Sequence, residues 1–159
     1  STQAVASSDL PGDVGQEIVE GMRGTAPGAP DEGEASTAFE TLYTGAEPKN
    51  VERQTFDAQN FDAAILCYLA AVSAGSTDGK EMADALVDIT SPGGTEYTWQ
   101  QLPEMIEALQ NGEDIDYTGA SGALDLDENG DATAGVYDIY QYKAGDLEIT
   151  GEVPVTTGE

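Results

Sequence analysis

The residues best suited to chemistry are the carboxylates between Asp125 and Asp131, in the segment DLDENGD. Their order fits the first six positions of an EF-hand loop, where oxygen ligands and one glycine surround calcium. The twelfth position of such a loop must supply a bidentate glutamate, but here it is Val136, and the flanks resemble strands. We therefore interpret the segment as an acidic turn with Asn129 and Gly130 at its tip, with weak calcium binding as the alternative.

Other catalytic constellations are weak in this sequence. The chain has no histidine and a single cysteine, Cys67, which excludes an internal disulfide, the usual Cys/His zinc sites and a histidine-activated nucleophile. Because Cys67 lies in an apolar segment, we expect a packed and inert thiol. Asp114 and Asp116 are more typical of a solvated edge than of a glycosidase pair. The sequence therefore predicts no enzyme activity, no cofactor and no metal site.

Net charge is the outlying property of the composition. The chain has 31 acidic and 5 basic residues, which give a formal net charge of −26. Such a chain cannot neutralise a row of phosphates, which excludes a general nucleic-acid binder, and anionic membranes would repel it. Acidic residues spread along the whole chain are typical of a saline habitat or of an acidic secreted protein. In either case we expect added salt to stabilise the fold.

Hydrophobic periodicity and end signals predict the helices. Four segments show apolar residues at helical spacing: 35–44, 61–74 with a start as early as Phe56, 79–88 and 102–110. Asp78 followed by Glu81 resembles a capping box, and Pro103 suits a first helical turn.

Strand signals are fewer. Residues 136–142 and 147–153 are rich in β-branched and aromatic side chains and flank a hairpin turn, and a short strand is expected within 17–26. Residues 1–16 are small and polar with a turn at Pro11 and Gly12, and 47–55 are expected to be irregular.

The helix beginning near Phe61 is apolar on nearly every side, with no charge between Asp62 and Asp78. A helix of this kind packs on more than one face. Its expected main face consists of Phe61, Ala64, Ile65, Tyr68, Leu69 and Val72. The few strands predicted here offer too little surface to cover it, so we expect the chain to be part of an α/β protein whose other strands lie elsewhere.

The segment NFDAAILCYLAAVSAGSTDGKEMADAL resembles a signature of the type I periplasmic binding proteins, the substrate-binding components of ABC transporters for branched-chain and related amino acids. Three further segments occur in that family's order: VEGMRGTAPGAP, STAFETLYTGAEP and LQNGEDIDYTGASGALDLDENGDATAGVYDIYQYKAGDLE. Within the last of them, YTGASGALDLDENGD is the most specific part, and together the segments span nearly the whole chain.

The resemblance implies an α/β, two-lobed fold in which helices flank parallel sheets and three crossing strands join the lobes. This chain would be its C-terminal part. Residues 1–27 would form a second-lobe segment and crossover, residues 28–118 a helical first-lobe segment, and residues 119–159 a crossover with the C-terminal strands of the second lobe.

The resemblance also implies a function. The chain would belong to an extracytoplasmic solute-binding component of an ABC importer, which holds an amino acid or related small solute in the cleft between lobes. Its partners would be that solute, the ABC permease in the membrane and the missing N-terminal part of the same protein, without which binding is not expected. The location would be periplasmic or at the cell surface, where a lipid on the missing N-terminus is one form of anchor.

One residue of this chain is a candidate ligand contact. In the family an aromatic residue five positions before the YDA tyrosine often lines the cleft, and the matching position here is Phe56. The same position is also suited to a core residue that closes the start of the helix. The competing function for the whole chain is an acidic secreted structural or interaction domain with a weak calcium-binding turn at 125–131.

Overall fold

The structure is a computed structural model that describes residues 6–29, 33–46 and 54–156. Most of the segment predicted to be irregular, residues 47–53, lies outside the described residues. In chain order the helices and strands are α1 (Leu10–Val14), α2 (Gln16–Val19), β1 (Arg23–Pro27), α3 (Glu34–Gly45), α4 (Asp57–Ala74), α5 (Gly79–Asp88), β2 (Thr95–Thr98), α6 (Leu102–Gln110), β3 (Ile115–Gly119), β4 (Gly122–Ala123), β5 (Ala134–Lys143) and β6 (Asp146–Thr156).

The four predicted helices are confirmed, and their ends have the expected physical causes. The Asp78 carboxylate accepts hydrogen bonds from the backbone amides of Lys80 and Glu81, which satisfies free donors at the start of α5. Helix α4 ends at Gly75, whose φ of 58° is the left-handed conformation that glycine adopts without steric cost. Pro103 occupies the first turn of α6, where its missing amide donor is not needed.

The described residues form two three-stranded sheets. The antiparallel sheet has the order β1-β5-β6, and the mixed sheet has the order β2-β3-β4, with β2 and β3 parallel and β3 and β4 antiparallel. The parallel pairing that the resemblance implies is therefore found in one pair of described strands. The predicted hairpin is confirmed as β5 and β6, joined through Ala144 and Gly145 at positive φ.

The first residues differ from prediction. Two short helices, α1 and α2, occupy residues that were expected to be a turn followed by a strand, and the strand itself begins only at Arg23. Strand β2 was not predicted, because its four residues, TEYT, alternate too briefly to show a pattern.

Three hydrophobic clusters hold these elements together. The largest joins α4, α5, α6 and the mixed sheet, the second joins α1, α2 and the antiparallel sheet, and the third is a small group where α3, α4 and the β3–β4 turn meet. Their buried members include Leu69, Met105 and Tyr117 in the first, Val19 and Tyr142 in the second, and Phe39, Ala58 and Ala120 in the third. Each sheet therefore has its own core.

The buried face of α4 is rotated from the predicted one: Leu69 is fully buried and Phe61 and Ile65 are partly buried as predicted, whereas other buried positions were not expected. Its buried residues are Ala58, Asp62, Leu66, Leu69 and Ala70. Tyr68 is 51% exposed, and Ala63, Ala64 and Cys67 are exposed as well. The prediction of a packed Cys67 thiol is therefore wrong. Because α4 has apolar residues on nearly every side, the hydrophobic pattern does not single out one face. The sequence therefore could not predict which face is buried.

No described helix is long and apolar enough to cross a membrane.

Candidate functional site

A cleft of about 730 Å³ separates the antiparallel sheet from the first turns of α3 and α4. One wall consists of sheet residues, among them Asp138, Leu147 and Ile149. The facing wall is formed by α3, by the start of α4 and by the β3–β4 turn. Its residues include Phe39, Glu40, Phe56, Asp57, Gln59 and Ala120. The cleft thus lies between two units that have separate hydrophobic cores.

Phe56 lies on the wall of this cleft. It caps α4 with φ 73° and ψ 11°, a left-handed conformation that is strained for a residue with a side chain. Strain of this kind costs about 1–3 kcal/mol and persists only where the surroundings enforce it. The Phe56 carbonyl accepts a hydrogen bond from the Asn60 amide at 2.8 Å, which starts the helix. Phe56 belongs to none of the three described hydrophobic clusters, and its role in ligand binding stays a prediction.

Gln59 reaches across the base of the cleft. Its side-chain amide donates a hydrogen bond of 2.8 Å to the carbonyl of Gly28, one residue beyond β1. Gly28 is itself held to the antiparallel sheet, because its amide donates to the Val136 carbonyl at 2.9 Å. The Asp138 carboxylate lies so close to the Gly28 Cα that a Cβ at this position would overlap it. Gly28 is therefore fixed to the antiparallel sheet and Gln59 to α4.

Asp62 is a buried carboxylate, 1% exposed, one turn further along α4. It accepts four hydrogen bonds: from the Tyr117 hydroxyl at 2.9 Å, from the Ala120 amide at 2.8 Å, and from the Ser121 amide and hydroxyl at 2.8 and 2.6 Å. A Cβ on Gly119 would overlap the carboxylate, so glycine is required at the end of β3. Asp62 thereby holds α4 to the β3–β4 turn.

The network around Asp62 affects Tyr117. Burial, together with the nearby charge of Asp62, raises the pKa of the Tyr117 phenol well above its ordinary value. The phenol therefore stays protonated and serves as a donor to the carboxylate over the physiological pH range.

Sequence patterns had marked Asp62 only as the last charge before an apolar stretch. A single acid on an otherwise apolar helix face is a signal of burial with partners, but the partners lie 55 to 59 residues away. No sequence pattern indicated a role for Gln59.

Aromatic packing supports the wall formed by α3 and α4. The ring of Phe61 contacts Phe39 and Trp99 at centroid distances of 4.9 and 5.0 Å. The Trp99 indole donates to the Ala35 carbonyl in the first turn of α3 at 2.9 Å. Phe61 thus belongs to the third cluster and not to the cleft.

The acidic segment forms the expected turn. The Asp127 carboxylate accepts hydrogen bonds from the amides of Asn129 and Asp131, at 2.8 and 3.0 Å, and Gly130 has a φ of 81°. The bonds from Asp131 and Asn129 lower the pKa of Asp127 below its usual value. Across residues 6–29, 33–46 and 54–156, no group of three or more acidic or cysteine side chains is placed to hold a metal ion.

Asp116 differs from the solvated-edge expectation, because it is partly buried on β3. Burial and the neighbouring charges of Asp125 and Glu96 raise its pKa.

Comparison with known proteins identifies a solved structure that has the same fold. The crystal structure of a leucine-binding protein, LivK from Thermotoga maritima, matches this chain with a TM-score of 0.63 over 92% of its residues and 22% sequence identity. This chain shares its fold. It spans 34% of the length of that protein. At this identity the likeness establishes the fold alone, and it supports the resemblance drawn from the sequence segments to that extent.

No family model matches the chain. The search of curated proteins returns no match either.

Proposed function

We propose that this chain is part of an extracytoplasmic solute-binding component of an ABC importer, and that an amino acid or related small solute binds in the cleft beside Phe56. The observation that carries the proposal is the cleft itself, between two units with separate cores. The fold shared with a leucine-binding protein supports it.

The chemistry of the cleft is suited to a small amphiphilic solute. Phe39, Phe56, Leu147 and Ile149 offer apolar surface, while polar and acidic side chains such as Glu40 lie beside them. Small-molecule sites combine these two kinds of lining. Burial of a solute's apolar side chain would contribute about 25 cal/mol for each Å² removed from water.

The mechanism we propose is closure of the two units over the solute. On this proposal the lobes follow the expected division: residues 1–27 form a second-lobe segment and crossover, residues 28–118 a first-lobe segment, and residues 119–159 a crossover with the C-terminal strands of the second lobe. The separate cores support the division outside the crossover, because each can move as a body, while the start of the 119–159 segment through β4 pairs with the mixed sheet. The ABC permease would recognise the closed form.

Further residues would complete the site. The chain spans 34% of the leucine-binding protein whose fold it shares, and the apolar face of α4 around Tyr68 is exposed. Both observations support a partner segment that packs on α4 and supplies more of the cleft wall. The net charge of −26 is compatible with a periplasmic or cell-surface location.

A thermal-shift screen of the full-length protein against the amino acids tests the proposal. We expect stabilisation by at least one aliphatic amino acid, because a ligand that binds only the native state raises the melting temperature. Stabilisation by none of them would contradict the proposal of an amino-acid site.

A further inference from the structure

Helix α4 is held to two different parts of the structure by hydrogen bonds, here called ties, from side chains one turn apart. Asp62 holds it to the β3–β4 turn of the mixed sheet, and Gln59 holds it to Gly28 beside the antiparallel sheet. Residues three apart lie on the same side of a helix, so the two ties leave α4 from neighbouring positions: Gln59 lines the cleft, whereas Asp62 is buried behind it.

The two ties differ in strength. Asp62 is buried and makes four charge-assisted hydrogen bonds, so opening this tie would leave a buried charge without partners. Gln59 makes one neutral hydrogen bond to Gly28 from the wall of a water-accessible cleft. Opening that tie exchanges one hydrogen bond for another with water, which is a small change in free energy.

The Gln59 tie links α4 to the antiparallel sheet. The Gly28 amide is bonded to Val136 on β5, and the Gly28 Cα lies against the Asp138 carboxylate on the same strand. Any rotation of this sheet relative to α4 must therefore stretch or release the hydrogen bond between Gln59 and the Gly28 carbonyl. Strand β4 also contacts β5, so this hydrogen bond is one of several contacts between the units.

The tie also lies next to the predicted ligand contact. Gln59 follows Phe56 by three residues on the first turn of α4, and both line the cleft. The left-handed backbone of Phe56 directs the chain into this turn. A molecule resting on Phe56 is therefore within one helical turn of the Gln59–Gly28 contact.

We propose that Gln59 is a positioning residue that sets the orientation of the antiparallel sheet relative to α4, whereas Asp62 fixes α4 to the mixed sheet. The Gln59–Gly28 hydrogen bond is the adjustable contact, and the Asp62 network is the permanent one. The coupling of this contact to solute rests on the proposed function. The role of the Gln59–Gly28 contact in the solute-free protein does not depend on the proposed function.

Distances between spin labels test the proposal. Cys67 is replaced by serine, because the proposed partner segment would pack beside it. One label is placed on a cysteine that replaces the exposed Asp84 on α5, and the other on a cysteine that replaces the exposed Asp146 at the start of β6. In the full-length, solute-free protein, Gln59→Met removes the donor but keeps the length of the side chain. We expect a shifted or about twofold broader distance distribution, since the two units then sample more orientations. Gln110→Met, at the exposed end of α6, is the matched control and should leave the distribution unchanged.

A distribution for Gln59→Met that superimposes on that of Gln110→Met would overturn the proposal. Gln59→Glu, which keeps the shape of the side chain but lacks the donor, must give the same broadening as Gln59→Met. Circular dichroism must show cooperative unfolding near the wild-type temperature for both variants. If both lost cooperative unfolding, Gln59 would be a residue of the fold and not an adjustable contact, and the proposal would be wrong.

Addition of L-leucine as the probe separates this proposal from the proposed function. If leucine binds, the wild-type distribution should narrow, and that of Gln59→Met should narrow less. If leucine does not bind, the proposed solute site does not accept leucine, while the comparison in the solute-free protein still decides the role of Gln59.

Discussion

Asp62 and Ser121, 59 residues apart in the chain, meet through two hydrogen bonds: the Ser121 amide and hydroxyl both donate to one carboxylate oxygen, at 2.8 and 2.6 Å. The contact joins the FDA segment of α4 to the YTGAS segment that ends β3. Two sequence segments that suggested the same resemblance are therefore parts of one hydrogen-bond network. We expect this network to control stability and the neighbouring cleft to control binding.

Substitution of Asp62 by asparagine should destabilise the fold strongly. The amide group is close in shape, but it loses the charge and directs an NH₂ group at donors. Breaking a buried charged network typically costs about 3–5 kcal/mol. Urea unfolding followed by circular dichroism measures the loss. Asp88→Asn, at an exposed position near the end of α5, is the control and should change stability by less than about 0.5 kcal/mol. Equal unfolding midpoints for the two variants would show that the network is not stabilising.

Gly119→Ala should destabilise the protein for a steric reason. The added Cβ would overlap the Asp62 carboxylate, so either β3 or α4 must shift. Overpacking of this kind costs about 1–3 kcal/mol. Gly135→Ala on β5 is a matched strand control, because nothing lies within 4 Å of the added Cβ. The account is contradicted if Gly119→Ala unfolds at the same urea concentration as Gly135→Ala.

Stability should fall above pH 10 because of Tyr117. Its pKa is raised by burial and by the Asp62 charge, so the folded phenol keeps its proton while the phenol of the unfolded chain ionises near the ordinary value of 10.0. The native state then binds more protons than the unfolded state, and the free energy of unfolding decreases as the pH rises. One such group contributes at most about 1.4 kcal/mol per pH unit.

Tyr117→Phe checks this pH dependence. The variant lacks the phenol, so its stability should depend less steeply on pH above 10, although it is less stable at neutral pH because Asp62 loses a donor. Tyr68→Phe, on the exposed face of α4, should keep the wild-type slope. If the free energy of unfolding falls equally steeply above pH 10 in Tyr117→Phe and in the wild type, groups other than Tyr117 cause the loss of stability.

Added salt should raise the melting temperature. A net charge of −26 makes the folded surface repel itself, and the Debye length falls from about 10 Å at 0.1 M salt to about 3 Å at 1 M. Differential scanning calorimetry in potassium chloride measures the effect. If the melting temperature does not change between low and molar salt, charge repulsion does not limit the stability of the fold.

The parts of the fold that local signals specify could be predicted from the sequence. Helices α5 and α6 have the predicted bounds because Asp78 and Pro103 mark their starts and regular apolar spacing defines their length. Short elements such as α1, α2 and β2 were not predicted, because four or five residues are too few to show a hydrophobic periodicity. The exposed side of α4 could not be predicted either, because its residues are as apolar as the buried ones.

The candidate site was predictable only in part. The resemblance predicts Phe56 as a ligand contact; the residue lies on the cleft wall, and the contact with a ligand stays a prediction. Its left-handed backbone has no signature in the sequence, because phenylalanine rarely adopts this conformation. The role of Gln59 depends on a carbonyl 31 residues away, and that of Asp62 on groups still more distant. Contacts of such sequence separation follow from the fold and not from local patterns.

Isothermal titration calorimetry of the full-length protein with L-leucine, for the wild type and Phe56→Ala, tests the central claim most directly. We predict stoichiometric binding to the wild type and about tenfold weaker binding to Phe56→Ala, a loss of about 1.4 kcal/mol, because a contact that carries much of the binding energy loses more than 1 kcal/mol on truncation. Tyr137→Ala, on β5 and outside the cleft lining, should bind as the wild type does. Absence of binding to the wild type, or equal affinity of Phe56→Ala and Tyr137→Ala, would contradict a leucine site beside Phe56.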